Sequence, residues 1–141
     1  SWLLVGISSQ SLESVDSRVT IAQFRTMAVL AQREQSNLSR LAAELAVNVS
    51  TAMRMIDRLV AGGFVTREEN PKSRREVVLC LTPQGEQLVT KVLSQRRNEI
   101  GRLLAKMPNA ARDALATGLQ TFTEAAWSAG IRPIAPNALG W

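Results

Sequence analysis

The chain has no histidine, no tyrosine and a single cysteine, Cys80, in 141 residues. Without histidine, the commonest acid/base group and the base of hydrolytic triads are excluded. With one cysteine and no cluster of carboxylates, the ordinary ligand sets for zinc and haem are missing too. No nucleophile stands beside a plausible base and no glycine-rich phosphate loop is present, so neither enzymatic chemistry nor a cofactor is expected. A lone cysteine closes no intramolecular disulfide, which fits a reducing cytoplasm. Aromatic residues make up only 4%, too few for a platform that stacks single-stranded bases. The longest opening apolar run, Ser1 to Ile7, is too short to span a bilayer and follows no basic segment. It is expected to be part of a helix whose beginning is missing.

What the chain does have is 45% hydrophobic content, enough to build one core in one folded unit over 1–141. Seventeen Lys and Arg against twelve Asp and Glu give a formal charge of +5, and the sequence pI is about 10.6. Polyanions are the partner class that such a balance favours.

Apolar positions recur at helical spacing along the chain. Leu3, Leu4, Ile7, Leu12 and Val15 predict a first helix. Thr20 followed by Gln23 is a capping box opening a second helix through Phe24, Met27 and Leu30. Asn37 caps a short third helix with Leu38, Leu41, Ala42 and Leu45 as its buried stripe. Asn48 caps a fourth, with Val49, Ala52, Met53, Ile56, Leu59 and Val60 expected to face inward, and Gly62-Gly63 ends it. Two strand-like runs, Phe64 to Glu69 and Glu76 to Leu81, flank the turn-forming, basic segment 70–75. Thr82-Pro83 is a cap and first-turn pair for a long fifth helix that ends near Pro108. A last helix runs from about Asn109 to Ala129, with Leu115, Leu119, Phe122, Ala126 and Trp127 on its apolar side. Pro133 and Pro136 make 131–141 an irregular tail.

Two short helices joined by a tight turn and followed at once by a hairpin give the order helix, turn, helix, wing. The predicted class is mainly α with a small β-hairpin wing. Ser50, Thr51, Arg54 and Arg58 fall opposite the buried stripe of the fourth helix, 48–61. Small hydroxyl residues behind Asn48 let that helix end approach a phosphate, so Asn48, Ser50, Thr51, Arg54 and Arg58 are the expected DNA contacts of the recognition helix. Arg54, one turn further in, is placed to reach base edges, where a bidentate contact to guanine is worth about 1–3 kcal/mol of discrimination. Arg58 suits the nucleic-acid backbone or an internal pair. In the wing, 70–76, Lys72, Arg74 and Arg75 form a cationic tip with no acid between them, suited to phosphates or a minor groove. Arg67, near Glu68 and Glu69, suits an internal pair or a phosphate. The plain alternative is that these cations form a solvated surface.

These residues resemble the MarR family of transcriptional regulators. The resemblance runs from Gln23-Phe24-Arg25 and Leu41-Ala42 through Asn48 to Leu59, then Gly63 to Arg67, Asn70 to Arg75, and Leu81-Thr82-Pro83-Gln84-Gly85. It implies a winged helix-turn-helix over 20–82, with terminal helical segments 1–17 and 83–141 forming a dimerisation region. It further implies that Ser50, Thr51 and Arg54 enter the major groove and Arg74 the minor groove. One departure is Ser73, where the family's wing commonly carries an aspartate that orients the following arginine.

A single copy would leave apolar faces of the end helices uncovered, so Trp2, Leu3, Ile7, Phe122 and Trp127, with Ile134 and Trp141, are expected at a homodimer interface. Twofold pairing would set two recognition helices about 34 Å apart and require a pseudo-palindromic operator on double-stranded DNA. The resemblance also implies a ligand-responsive repressor with a small aromatic or anionic effector. The expected lining is Ser8, Arg18, Phe24, Met27 and Arg96. Cys80, within an apolar strand, is expected to be a small core residue rather than a redox switch. A winged-helix module that binds protein rather than specific DNA is the competing function.

Overall fold

The computed structural model describes residues 2–32, 36–70 and 73–130, excluding the side chains of 2, 4 and 73–76. The elements are α1 (Trp2–Val15), α2 (Ile21–Leu30), α3 (Leu38–Leu45), α4 (Val49–Ala61), β1 (Val65–Asn70), β2 (Ser73–Leu81), α5 (Pro83–Ala105) and α6 (Asn109–Ser128). The fold is therefore mainly helical with one antiparallel hairpin, as its residue pattern predicts.

Local capping chemistry sets most helix starts. Thr20 Oγ1 accepts from the Gln23 amide while Gln23 Oε1 accepts from the Thr20 amide, at 3.2 and 2.8 Å, so two orphan amides are satisfied reciprocally. Asn37 Oδ1 accepts from the Arg40 amide and Asn48 Oδ1 from the Thr51 amide, at 2.9 and 2.7 Å. Thr82 Oγ1 accepts from the Gly85 amide at 3.1 Å and donates to the Gly63 carbonyl at 2.7 Å. That one hydroxyl joins the start of α5 to Gly63, just past the Gly62 cap of α4. Gly63 has φ +77°, the left-handed conformation that ends a helix cheaply when no Cβ is present. At the end of α3, Ala46 takes the same conformation with φ 55°, an uncommon position for a residue with a Cβ.

The core is built where α2, α3, α4, the hairpin and α5 converge: Met27, Leu30, Leu41, Leu45, Ile56, Leu59, Phe64, Val65, Leu79, Leu88 and Val92 are buried together. α1 lies chiefly on α5 and contributes Ile7 and Leu12 to the interior. The hairpin pairs Val65 with Leu81 through Glu69 with Val77, and the register shifts before the pairing of Asn70 with Ser73. Ser36, just before α3, exchanges two backbone bonds with Leu79 at 3.3 and 2.8 Å, adding a short third partner to the outer side of β2.

Three expectations need correction. Both strands extend further toward the tip than 64–69 and 76–81, so the backbone of Ser73, Arg74 and Arg75 belongs to β2 rather than to a turn. Val49 and Met53 do not face inward: they are 46% and 48% exposed, and the buried stripe of α4 is Ala52, Ile56 and Leu59. Ile7 is buried inside its own chain, at 8% exposure, and so is not free for an interface. Met27, expected to line an effector site, is fully buried and packs in the core.

Candidate nucleic-acid interface

α4 is held from behind and leaves one long face open. The Ala52, Ile56 and Leu59 stripe anchors it against the core, with Met55 and Val60 packed at its edges. On the open side two rows run along the axis at four-residue spacing. One is Ser50, Arg54, Arg58 and the other Val49, Met53, Asp57; all six are exposed. Residues four apart in a helix lie nearly above one another, so the rows are adjacent strips of a single surface.

Asn48 has its side chain committed to the cap, and Thr51, half-buried, supports Arg54: the Arg54 guanidinium donates to Thr51 Oγ1 at 3.3 Å. This contact lies along the helix surface and leaves most of the five guanidinium donors available. Arg54 thus stands one turn inside the N-terminus of a 13-residue helix, beside small Ser50. Such an arrangement admits a polyanion closely, because the helix dipole and free amides favour negative charge there.

Asp57 is paired with Arg67 of β1. Arg67 is thus an internal partner, one of the two roles open to it in the sequence. The pair neutralises the single carboxylate in the exposed strips of α4 and ties that helix to the hairpin. Spacing could not find it, since the two residues lie ten apart across a helix end and a strand start. Lys72 lies outside the described residues, and so do the side chains of Arg74 and Arg75.

The residues expected to line an effector site differ in their surroundings. Arg18 is exposed and bound to Asp16 at 2.7 Å, a contact that lowers the Asp16 pKa and raises its own. Ser8 and Phe24 are half-buried, Phe24 against the core. Arg96 is buried at 6% exposure, and loss of hydration pulls its pKa below the usual guanidinium range. On α1, the buried Ser11 hydroxyl has no hydrogen-bond partner among the described residues, a feature with no signature in sequence. None of the five expected residues lines the cavity of about 310 Å³ bounded by Leu30, Ala31, Cys80, Leu81, Glu86, Val89 and Thr90. Cys80 is half-buried there, and burial, followed by the nearby charge of Glu68, raises its thiol pKa.

The last helix has another character. α6 buries no residue in this chain, and Leu119, Phe122 and Trp127 are 58%, 74% and 60% exposed. Leu3 of α1 is 63% exposed. Of the expected interface residues, Leu3, Phe122 and Trp127 are available for a partner; the Trp2 side chain, Ile134 and Trp141 lie outside the described residues. No helix among the described residues is long and apolar enough to cross a membrane.

Comparison with known proteins agrees with this architecture. Residues 19–77 match the MarR family model. The transcriptional repressor MdtR of Bacillus subtilis is 32% identical over 100 residues, which is 70% of this chain and 64% of that protein. The match therefore spans somewhat less than two thirds of that relative's length. Among solved structures, RV1404 from Mycobacterium tuberculosis has 43% identity and a TM-score of 0.83, covering 87% of this chain and 84% of that one. YusO from Bacillus subtilis has 26% identity and a TM-score of 0.78, covering 89% and 87%. The chain belongs to the MarR family of winged helix-turn-helix transcriptional regulators.

Proposed function

We propose that this protein is a sequence-specific regulator that binds double-stranded DNA as a homodimer, with α4 in the major groove and the hairpin tip at the minor groove. The observation that carries the reading is the open face of α4, where exposed Ser50, Arg54 and Arg58 stand in a row on a helix anchored only from behind. Its charge of +5 supports a polyanionic partner. The winged part is 20–82. The segments 1–17 and 83–141 form the dimer through the uncovered face of α6 and the outer face of α1, which makes the operator pseudo-palindromic. Repression is the regulatory sense, by analogy with the repressor MdtR, and a cytoplasmic location follows from that role.

Response to a small aromatic or anionic effector is the finer part of this reading. Arg96, a cation buried on α5, supports it as a group of the sign that an anionic effector requires.

The test is selection from a pool of random duplexes at several salt concentrations, with the oligomeric state measured in parallel. Enrichment of a pseudo-palindrome by a dimer, with affinity falling steeply as salt rises, is expected. Binding without sequence preference, or salt-insensitive capture of a protein by the same face, would replace this reading with that of an interaction module.

A further inference from the structure

The exposure of Val49 and Met53 in the row Val49, Met53, Asp57 is unexplained by folding. Val49 and Met53 are about half exposed while their neighbours Ala52 and Ile56 are completely buried, so the two apolar side chains contribute little to the core. They adjoin each other at four-residue spacing and lie directly beside the Ser50, Arg54, Arg58 row. The Asp57 carboxylate that continues their row is neutralised by Arg67, which keeps the whole face free of uncompensated negative charge. An apolar strip bordered by an arginine strip does not suit a phosphate backbone, which offers no apolar surface. It suits the floor of a major groove, where thymine alone presents a methyl group beside the hydrogen-bonding edges of its neighbours.

Resting on the DNA-binding reading above, we propose that Val49 and Met53 read thymine 5-methyl groups at base pairs adjoining the one contacted by Arg54. Arg54 selects guanine by its fork of donors, and the Val49 and Met53 strip selects thymine by excluding water from a methyl group. Methionine is suited to this task, because its unbranched, polarisable thioether adapts to the shape it meets. Each half-site of the operator then carries thymine next to the guanine-bearing pair.

Replacing thymine by uracil in the selected operator, one position at a time, removes only the methyl group and leaves every hydrogen bond. At the contacted thymine of a half-site the wild-type protein is expected to lose about fourfold in affinity, the worth of burying one such group. The variant carrying Val49→Ala and Met53→Ala should bind the thymine and uracil duplexes equally while retaining its preference for guanine at the Arg54 position. Both side chains are exposed, so its thermal unfolding should match the wild type. Equal binding of thymine and uracil duplexes by the wild-type protein at every position, with guanine preference intact, overturns this inference and leaves the regulator reading standing. A uracil penalty that persists undiminished in the double variant overturns it as well. If the wild-type protein enriches no duplex, both readings fail together.

Discussion

Arg67 of β1 forms an ion pair with Asp57 of α4, and through it the first strand of the hairpin holds the exposed face of the helix assigned to the major groove. Both side chains remain substantially in solvent, at 40% and 53% exposure, so the pair adds little to stability, about 0–1 kcal/mol. Its importance lies in charge. Arg67→Ala should leave the melting temperature almost unchanged and weaken operator binding about tenfold, since a bare carboxylate would then face the DNA beside Arg54. Adding Asp57→Asn should recover part of that loss. Fluorescence anisotropy titrations of both variants check this, and an Arg67→Ala protein with unaltered affinity would show that Asp57 faces away from the duplex.

Arg54→Ala should cost about 1–3 kcal/mol of discrimination at one base position, relaxing preference there more than it lowers binding to random DNA. Lys72→Ala should weaken binding to all sequences alike and reduce the salt slope by about one unit. Selection followed by salt titration separates the two effects.

Gly85 sits in the first turn of α5, and a Cβ there would stand 2.3 Å from the Phe64 carbonyl oxygen. The Leu81 side chain, 3.2 Å away, can turn, but the Phe64 backbone cannot swing aside. Gly85→Ala is expected to destabilise the fold by about 1–3 kcal/mol, as overpacking typically does, read from chemical denaturation. A neutral result would mean that α5 can shift along the hairpin.

Combined Phe122→Ser and Trp127→Ser changes should leave helical content intact, because both side chains are largely exposed, and should turn a dimer into monomers. Sedimentation measures the oligomeric state directly, and operator binding should fall with the dimer. A double variant that remains dimeric would move the interface away from α6.

Burial raises the Cys80 pKa above its ordinary value of 9.0. The thiol therefore stays protonated at neutral pH, and alkylation should be slow there and accelerate only above pH 9. Because the folded pKa is the higher one, the unfolded chain gives up this proton first. The stability associated with the neutral thiol is present below about pH 9 and is lost as pH rises through the folded value. Cys80→Ser should remove that part of the alkaline decline in stability. Rapid alkylation at pH 7 would contradict the raised thiol pKa.

The caps at Thr20, Asn37, Asn48 and Thr82, the left-handed stop at Gly63 and the order of helices and hairpin were all legible in the sequence. Each rests on contacts between residues three or four apart, and such contacts form whatever the rest of the chain does. The row of Ser50, Arg54 and Arg58 was legible for the same reason, since a polar residue opposite a buried stripe has nowhere else to go.

The tertiary structure decided what the helical period leaves ambiguous. A stripe predicted from period alone is wider than the surface that neighbours can cover. The core encloses Ala52, Ile56 and Leu59, leaving Val49 and Met53 in solvent, while α1 and α5 enclose Ile7 and the packing around α2 encloses Met27. The Asp57–Arg67 pair, the Ser36–Leu79 bridge and the tight approach of Gly85 to Phe64 depend on where separate elements come to rest. Sequence determined which segments became helices and hairpin, because capping and periodicity act over one or two turns. Only packing between segments decided which side chains were left to meet a partner, because burial depends on the shape of the covering surface.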